Sequence, residues 1–224
     1  GSRWLKYGSA GQQVVSMQVV LADGHMIEVG REPLTDGVSA DPDPRKRDLV
    51  NRLVRLLSDN ADLIRRKTPA SPVNRAGYRL AGTLGPDYLD LARLVAGSEG
   101  TLALITEAVL ATQPLPRCRG VALLLFDSLE KACRAVMEVL PTQPSACDLM
   151  DRRHLSLARE TEARFDAILP PDTEAALLVE HEGNRLHEVR RQLRQLVDEI
   201  HQKHRLSFAA RQAFDAAEVG LVWH

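Results

Sequence analysis

The stretch LVAGSEGTLALITEA, residues 94–108, decides how the rest of the chain is interpreted. An apolar, helix-like segment stops at Gly97 and Gly100, and an apolar, strand-like segment from Leu102 to Leu110 follows. Glycine adopts backbone conformations that other residues avoid, and it lets a ligand approach the main chain closely. The pattern predicts a helix–turn–strand junction suited to holding a ligand, although a turn of this kind before a strand is most often only a turn.

Further segments stand in a fixed order around this junction. Tyr7-Gly8 precedes an apolar strand, AGYRL occupies residues 76–80, and DLMDR occupies residues 148–152. Together with GSEGTL and LITEA in the junction, these segments resemble the FAD-linked oxidases of the vanillyl-alcohol oxidase or PCMH type. That group includes D-lactate, glycolate and D-2-hydroxyglutarate dehydrogenases.

The resemblance implies a flavoprotein oxidoreductase with FAD as its cofactor. Its substrate would be a 2-hydroxy acid whose α-carbon gives a hydride to the flavin, and a separate electron acceptor would take the electrons onward. Glu99 is a candidate general base, but its place in a cofactor-contacting turn favours a binding or structural role. The implied cofactor contacts are Gly97, Ser98, Glu99, Gly100 and Ile105, with Tyr7 and Gly8 as further candidates.

The chain departs from the family pattern at both ends. The glycine-rich pyrophosphate loop expected before Tyr7-Gly8 is missing, and so is the GDGN-x-H-like segment that carries the family's metal-binding and catalytic histidines. We therefore expect an internal fragment that is inactive on its own, and we assign no catalytic residue. A fragment of a flavin domain would expose apolar surface, so self-association is expected as well.

Composition excludes several classes of protein. The 224 residues are 44% hydrophobic and contain no apolar run near the length of about 20 that crosses a bilayer. Lys and Arg number 29 against 30 Asp and Glu, so charge does not favour nucleic acid or an anionic membrane. Cys118, Cys133 and Cys147 lack disulfide-like or C-x-x-C spacing. The expected location is the cytoplasm, with peripheral attachment to the inner membrane as an alternative.

Two histidine patterns are candidate metal sites. His201 and His204 are three residues apart in a helical segment, but no third ligand accompanies them, so a solvated helix face is the better interpretation. In Glu180-His181-Glu182 the alternation of a strand sends the histidine to the face opposite both glutamates. We assign no metal.

The first part of the chain, residues 1–113, is predicted to be the second half of a PCMH-type FAD-binding domain. Its expected elements are a hairpin around Asp23-Gly24, a helix over 45–66, and a short helix from Pro86 to Val95 that leads into the glycine junction.

The second part, residues 114–211, begins after the Pro-rich break and shows a β-α-β, β-α-β order, with helices capped by Ser128 and Asn184. This order predicts a ferredoxin-like cap or substrate domain with helices on one face of an antiparallel sheet, so the fold class is α+β. Residues 212–224 are expected to begin a further segment. An alternative function, from a different class, is a small-molecule-binding or protein-interaction module without catalysis.

Overall fold

The computed structural model describes residues 2–71 and 77–223 and divides into two compact units. One unit is Ser9–Gln113, and the other joins Gly1–Gly8 to Pro114–His224. The predicted division differs from these units at both ends. Gly1–Gly8, called the N-terminal arm below, and the segment after 211 belong to the unit with Pro114–His224, called the second unit below.

The α-helices are α1 (Trp4–Tyr7), α2 (Ala10–Gln13), α3 (Pro44–Asp59), α4 (Ala61–Lys67), α5 (Leu91–Val95), α6 (Leu129–Val139), α7 (Arg152–Thr161), α8 (Leu186–Val197) and α9 (Ala216–Trp223). The strands are β1 (Val14–Val20), β2 (Met26–Val29), β3 (Arg31–Pro33), β4 (Tyr88–Asp90), β5 (Leu104–Leu110), β6 (Cys118–Phe126), β7 (Ala146–Asp151), β8 (Ala175–Gly183) and β9 (Ala209–Ala213).

The Ser9–Gln113 unit is built on an antiparallel sheet in the order β2-β1-β5. The predicted hairpin is confirmed: β1 pairs with β2 through a turn in which Gly24 has a φ of 81° and the Asp23 carboxylate accepts from the N–H of His25. Apolar residues of β1 and β2 pack with the buried faces of α3 and α5 to form the core of this unit.

Two helix predictions in this unit needed correction. The helix predicted over 45–66 is interrupted at Asn60, whose side-chain amide donates to the carbonyl of Leu56 at 2.8 Å and so competes with the continuing helix. The segment predicted as helical from Pro86 starts instead as β4, which pairs with β3. Helix α5 begins only after Asp90, whose carboxylate accepts from the N–H of Arg93 and caps the first turn.

The second unit contains an antiparallel sheet in the order β7-β8-β6-β9. With α6 between β6 and β7 and α8 between β8 and β9, this is the predicted ferredoxin-like arrangement. Ser128 caps α6 as predicted, whereas the residue before α8 is Arg185 and not Asn184. Strand β6 pairs with β8 over its whole length but with β9 only from Val121 to Leu125.

The expectation that helices cover only one face of this sheet was wrong. Helices α6 and α8 pack on one face, as predicted. The other face is covered by α7 and α9, where Leu155 and Val219 contact apolar residues of β6 and β8. Strand β6 is therefore apolar on both faces, with buried residues from Gly120 to Phe126. Among the described residues, no helix combines the length and apolar character needed to cross a bilayer.

Candidate functional site

The glycine turn after α5 has the backbone geometry that its sequence predicted. Gly97, Glu99 and Gly100 have φ values of 90°, 52° and 77°, all in the left-handed region that favours glycine. A Cβ placed on Gly97 or on Gly100 would meet no atom within 4 Å. The two glycines are thus required by the backbone path and leave open space beside the main chain.

This turn also presents unused hydrogen-bond donors. Within residues 2–71 and 77–223, the N–H groups of Gly97, Glu99 and Gly100 donate to no acceptor of the protein. Ser98 and Thr101 close the turn instead, since their N–H groups donate to the carbonyls of Val95 and Ser98. Successive N–H groups in a turn of mixed backbone handedness can form a concave site for an electronegative ligand atom.

Tyr78 fixes the end of this turn from a neighbouring segment. Its hydroxyl lies 2.8 Å from Oγ1 of Thr101, and that oxygen also donates to the carbonyl of Ser98 at 2.6 Å. Tyr78 belongs to the AGYRL segment, in which its role was not predicted. Ala76, the first residue of that segment, lies outside the described residues.

Strand β5 continues directly from the turn and is solvent-exposed along its whole length. It pairs with β1 on one edge, and no other described strand pairs with its second edge. Ile105, half-exposed, lies opposite Val19, and a bulge follows at the next residue. The structure therefore brings Gly97, Ser98, Glu99, Gly100 and Ile105 together on one continuous segment.

The structure places Tyr7 and Gly8 elsewhere, in the unit with Pro114–His224. Tyr7 donates a short hydrogen bond to Glu182, and Lys6 Nζ lies 2.9 Å from the same carboxylate. Burial would raise the pKa of Glu182, but these two hydrogen bonds and the charges of Lys6 and Arg119 outweigh it and lower the pKa.

Glu180, two residues earlier, forms the centre of the same cluster and is fully buried. Its carboxylate accepts from Arg3, from the Ser145 hydroxyl at 2.8 Å and from the Trp223 indole at 3.1 Å. The sequence pattern of this segment had indicated at most a metal site and gave no prediction of the ion-pair cluster. The signal available was a pair of glutamates at the end of an otherwise apolar strand.

The remaining metal and nucleophile candidates have structural partners. His201 Nδ1 lies 3.0 Å from the carbonyl of Ser207, and His204 Nε2 lies 3.2 Å from Glu199. In the part of the chain that the structure describes, no group of three or more His, Cys, Asp or Glu side chains is placed to hold a metal ion. Burial raises the pKa of the Cys147 thiol to about 12, which disfavours the nucleophilic thiolate.

Comparison with known proteins finds FAD-linked oxidoreductases that are similar to this chain. Residues 115–224 match the family "FAD linked oxidases, C-terminal domain". The D-2-hydroxyglutarate dehydrogenase of Pantoea ananatis is 30% identical over 206 residues, a match that covers 88% of this chain and 20% of the relative. The glycolate oxidase subunit GlcD of Bacillus subtilis is 27% identical, with 82% of this chain and 28% of the relative covered.

Among solved structures, alkyldihydroxyacetonephosphate synthase aligns with 96% of this chain and 32% of its own chain, at a TM-score of 0.50 and 16% identity. That likeness concerns the fold alone. The match over residues 115–224 and these relatives make the chain similar to FAD-linked oxidases, a similarity that implies FAD as the cofactor. The chain spans between 20% and 28% of the length of the two curated relatives described above.

Proposed function

We propose that the chain is part of an FAD-dependent dehydrogenase or oxidase of 2-hydroxy acids, and that the Gly97–Gly100 turn with Ile105 contacts the cofactor. The observation that carries this proposal is the set of three N–H groups, on Gly97, Glu99 and Gly100, that have no acceptor among the described residues. The open space beside both glycines supports it, since a flat ligand could approach the main chain there.

The charge at the turn indicates which part of the cofactor fits. Glu99 is exposed and carries a carboxylate beside the three N–H donors. A pyrophosphate would be repelled by this carboxylate, whereas the uncharged acceptor atoms of the flavin or adenine ring would not be. The exposed edge of β5 offers further main-chain groups to a planar ring. We therefore assign the turn and Ile105 to a ring of FAD.

The bound flavin would supply the oxidising group that accepts a hydride from the α-carbon of the substrate. The chain's own part is to hold and orient the ring. The substrate class rests on the relatives, which are named for D-2-hydroxyglutarate, glycolate and D-lactate. An electron acceptor completes the reaction. We assign no catalytic residue within this chain and expect it to be inactive on its own.

An NMR titration tests the cofactor contact without requiring activity. The backbone amide signals of the chain are followed while FAD, riboflavin, AMP or pyrophosphate is added at millimolar concentration. We expect saturable shifts at Gly97, Glu99 and Gly100 with FAD. We also expect them with either riboflavin or AMP, which carry the two ring systems of FAD. If none of the three amides shifts with FAD, or if pyrophosphate alone produces the same shifts, the ring assignment is wrong.

A further inference from the structure

A cavity of about 620 Å³ lies in the unit that contains Pro114–His224. Its walls come from the start of β6, the connection between β9 and α9, α9 itself and Arg3. The cavity exists because β9 pairs with β6 only from Val121 onward, which leaves the first three residues of β6 without a strand neighbour on that side. Small-molecule sites typically measure about 300–1,000 Å³, so the volume suits an organic ligand.

The cavity walls are apolar over much of their surface. Phe214 and Trp223 supply two aromatic rings, and Leu115, Leu186 and Val219 supply aliphatic surface. Aromatic and aliphatic walls of this kind stabilise a ligand by removing its apolar surface from water. A purely inorganic ion would leave these walls unused.

Two arginines on the wall are held in place by buried carboxylates. Arg3 donates through Nε and Nη2 to Glu180, and Arg119 donates through Nε to Glu182 at 3.2 Å. Within the described ranges, Nη1 of Arg3 and both terminal nitrogens of Arg119 donate to no acceptor. These N–H groups are fixed donors available to a ligand, because the glutamates restrict the rotamers of both side chains.

Arg117 differs from these two arginines because no described residue pairs with it. It lines the cavity, and within residues 2–71 and 77–223 it forms no ion pair or hydrogen bond. The carboxylate on the wall, Asp215, is engaged in capping α9, where it accepts from the N–H of Glu218 at 2.8 Å.

The charged groups around the cavity leave one positive charge uncompensated. Counting the lining residues and the charged groups that contact them or their partners, the cations are Arg3, Lys6, Arg117, Arg119 and Arg190, and the carboxylates are Glu180, Glu182, Asp215 and Glu218. This balance favours a ligand with one negative charge over a dianion or a polyphosphate.

We propose that this cavity binds a small monocarboxylate with an apolar or aromatic body, and that Arg117 is the main partner of its carboxylate. The planar guanidinium of Arg117 matches a carboxylate in shape and charge, and the aromatic walls enclose the body of the ligand. The proposal is independent of FAD, because the residues that line the cavity belong to a different unit from the Gly97–Gly100 turn.

Phenylacetate is a suitable probe, with phenylacetamide as an uncharged ligand of similar shape and inorganic phosphate as an anion without an apolar body. Binding is followed by NMR at the indole N–H of Trp223 and the backbone amides of Phe214 and Arg117. The variant Arg117→Gln removes the unpaired charge without breaking a contact. Arg134→Gln is the matched control, since Arg134 is exposed on α6, forms no contact among the described residues and does not line the cavity.

We expect saturable binding of phenylacetate at millimolar concentration, weaker by about tenfold in Arg117→Gln, the size of effect that one charge-assisted hydrogen bond provides. Arg134→Gln should bind like the unmodified chain, and phenylacetamide should bind more weakly than phenylacetate. The proposal is overturned if phenylacetate produces no saturable shift, if phenylacetamide or phosphate binds as tightly as phenylacetate, or if both variants lose the same affinity.

Discussion

Arg3 donates two parallel hydrogen bonds to the carboxylate of Glu180, each 2.7 Å long, across 177 residues of sequence. Glu180 is fully buried, and its carboxylate also accepts hydrogen bonds from Ser145 and Trp223, so its oxygens have protein partners in place of water. The N-terminal arm is thus held in the second unit by a fork-shaped ion pair, and not by apolar packing, since α1 contributes no buried residue.

Replacing Arg3 by Met should destabilise the second unit. The buried carboxylate would lose its cationic partner but keep its two neutral donors, so we expect the free energy of unfolding to fall by about 2–3 kcal/mol. Urea unfolding followed by circular dichroism measures the change. The double variant Arg3→Met with Glu180→Gln should recover part of the loss, because no unpaired buried charge remains. Equal losses in the single and double variants would contradict this account.

His181 should make the chain less stable in mild acid. Burial lowers the pKa of its imidazole below the ordinary 6.5, although nearby Glu180 acts in the opposite direction. The unfolded chain therefore binds a proton below about pH 6.5 that the folded chain resists, and stability falls from that pH until the folded pKa is reached. Urea midpoints between pH 7.5 and 5 test this, with a weaker pH dependence expected for His181→Gln. The exposed His187 offers the control His187→Gln, which should leave the pH dependence unchanged.

Gly100→Val should weaken the FAD contact more than Gly37→Val does. Both glycines have a φ of 77°, and a Cβ on either would meet no atom within 4 Å, so valine strains both turns equally, by about 1–3 kcal/mol. Only the first turn carries the N–H groups assigned to the cofactor. The amide shifts on FAD addition measure the cofactor contact, and a thermal melt measures the destabilisation caused by backbone strain. Together the two measurements separate these effects. If both variants respond to FAD alike, Gly100 is an ordinary turn residue.

The connection between the two sheets should be the first site of proteolysis. Residues 111–117 form neither helix nor strand, and all but Pro116 are exposed. A protease of broad specificity should therefore cut there before it cuts β5 or β6, because cleavage needs an accessible, extended backbone. Mass spectrometry of the earliest products locates the cut. Early cleavage within 104–110 or 118–126 would show that the predicted boundary at Gln113 is not where the chain divides.

Strand β5 should promote self-association of the chain. Leu104, Val109 and Leu110 are 67%, 57% and 54% exposed, and one edge of their strand pairs with no other described strand, which makes this surface prone to intermolecular contact. Val109→Lys should reduce both the mass seen by light scattering and the binding of a dye for apolar surfaces. Met137 on α6 is 69% exposed and supplies the control Met137→Lys. If the unmodified chain is strictly monomeric and binds no dye, strand β5 does not promote self-association.

Local patterns in the sequence predicted much of the fold. The Asp23-Gly24 turn, the cap at Ser128 and the alternation around His181 each depend on neighbours only a few residues away. Each is found in the structure, where His181 contacts Thr142 while Glu180 and Glu182 contact the N-terminal arm. The interruption at Asn60 was missed because its side-chain bond to Leu56 competes with a helical pattern that continues on both sides.

The candidate site was predictable only where it is contiguous in sequence. Gly97 to Ile105 forms one segment, so its glycines and its strand could be found by reading along the chain. The donors to Glu180 come from three distant parts of the chain, and no local pattern connects Arg3 with Trp223. The packing of α7 and α9 on the second face of the ferredoxin-like sheet was not predicted for the same reason. Both helices are amphipathic or short, and no local pattern indicates which surface they contact.

The Arg3–Glu180 pair also sets an order of events when the chain folds. The arm can reach its partner only after β8 has been synthesised and has paired with β6, so it closes a loop that contains the whole of Ser9–Gln113. Closing a long loop has an entropic cost that grows slowly with its length, and the contact that rewards it forms late. The Ser9–Gln113 unit can form its own hairpin contacts meanwhile. Docking of the N-terminal arm is therefore expected to follow the pairing of β6 with β8.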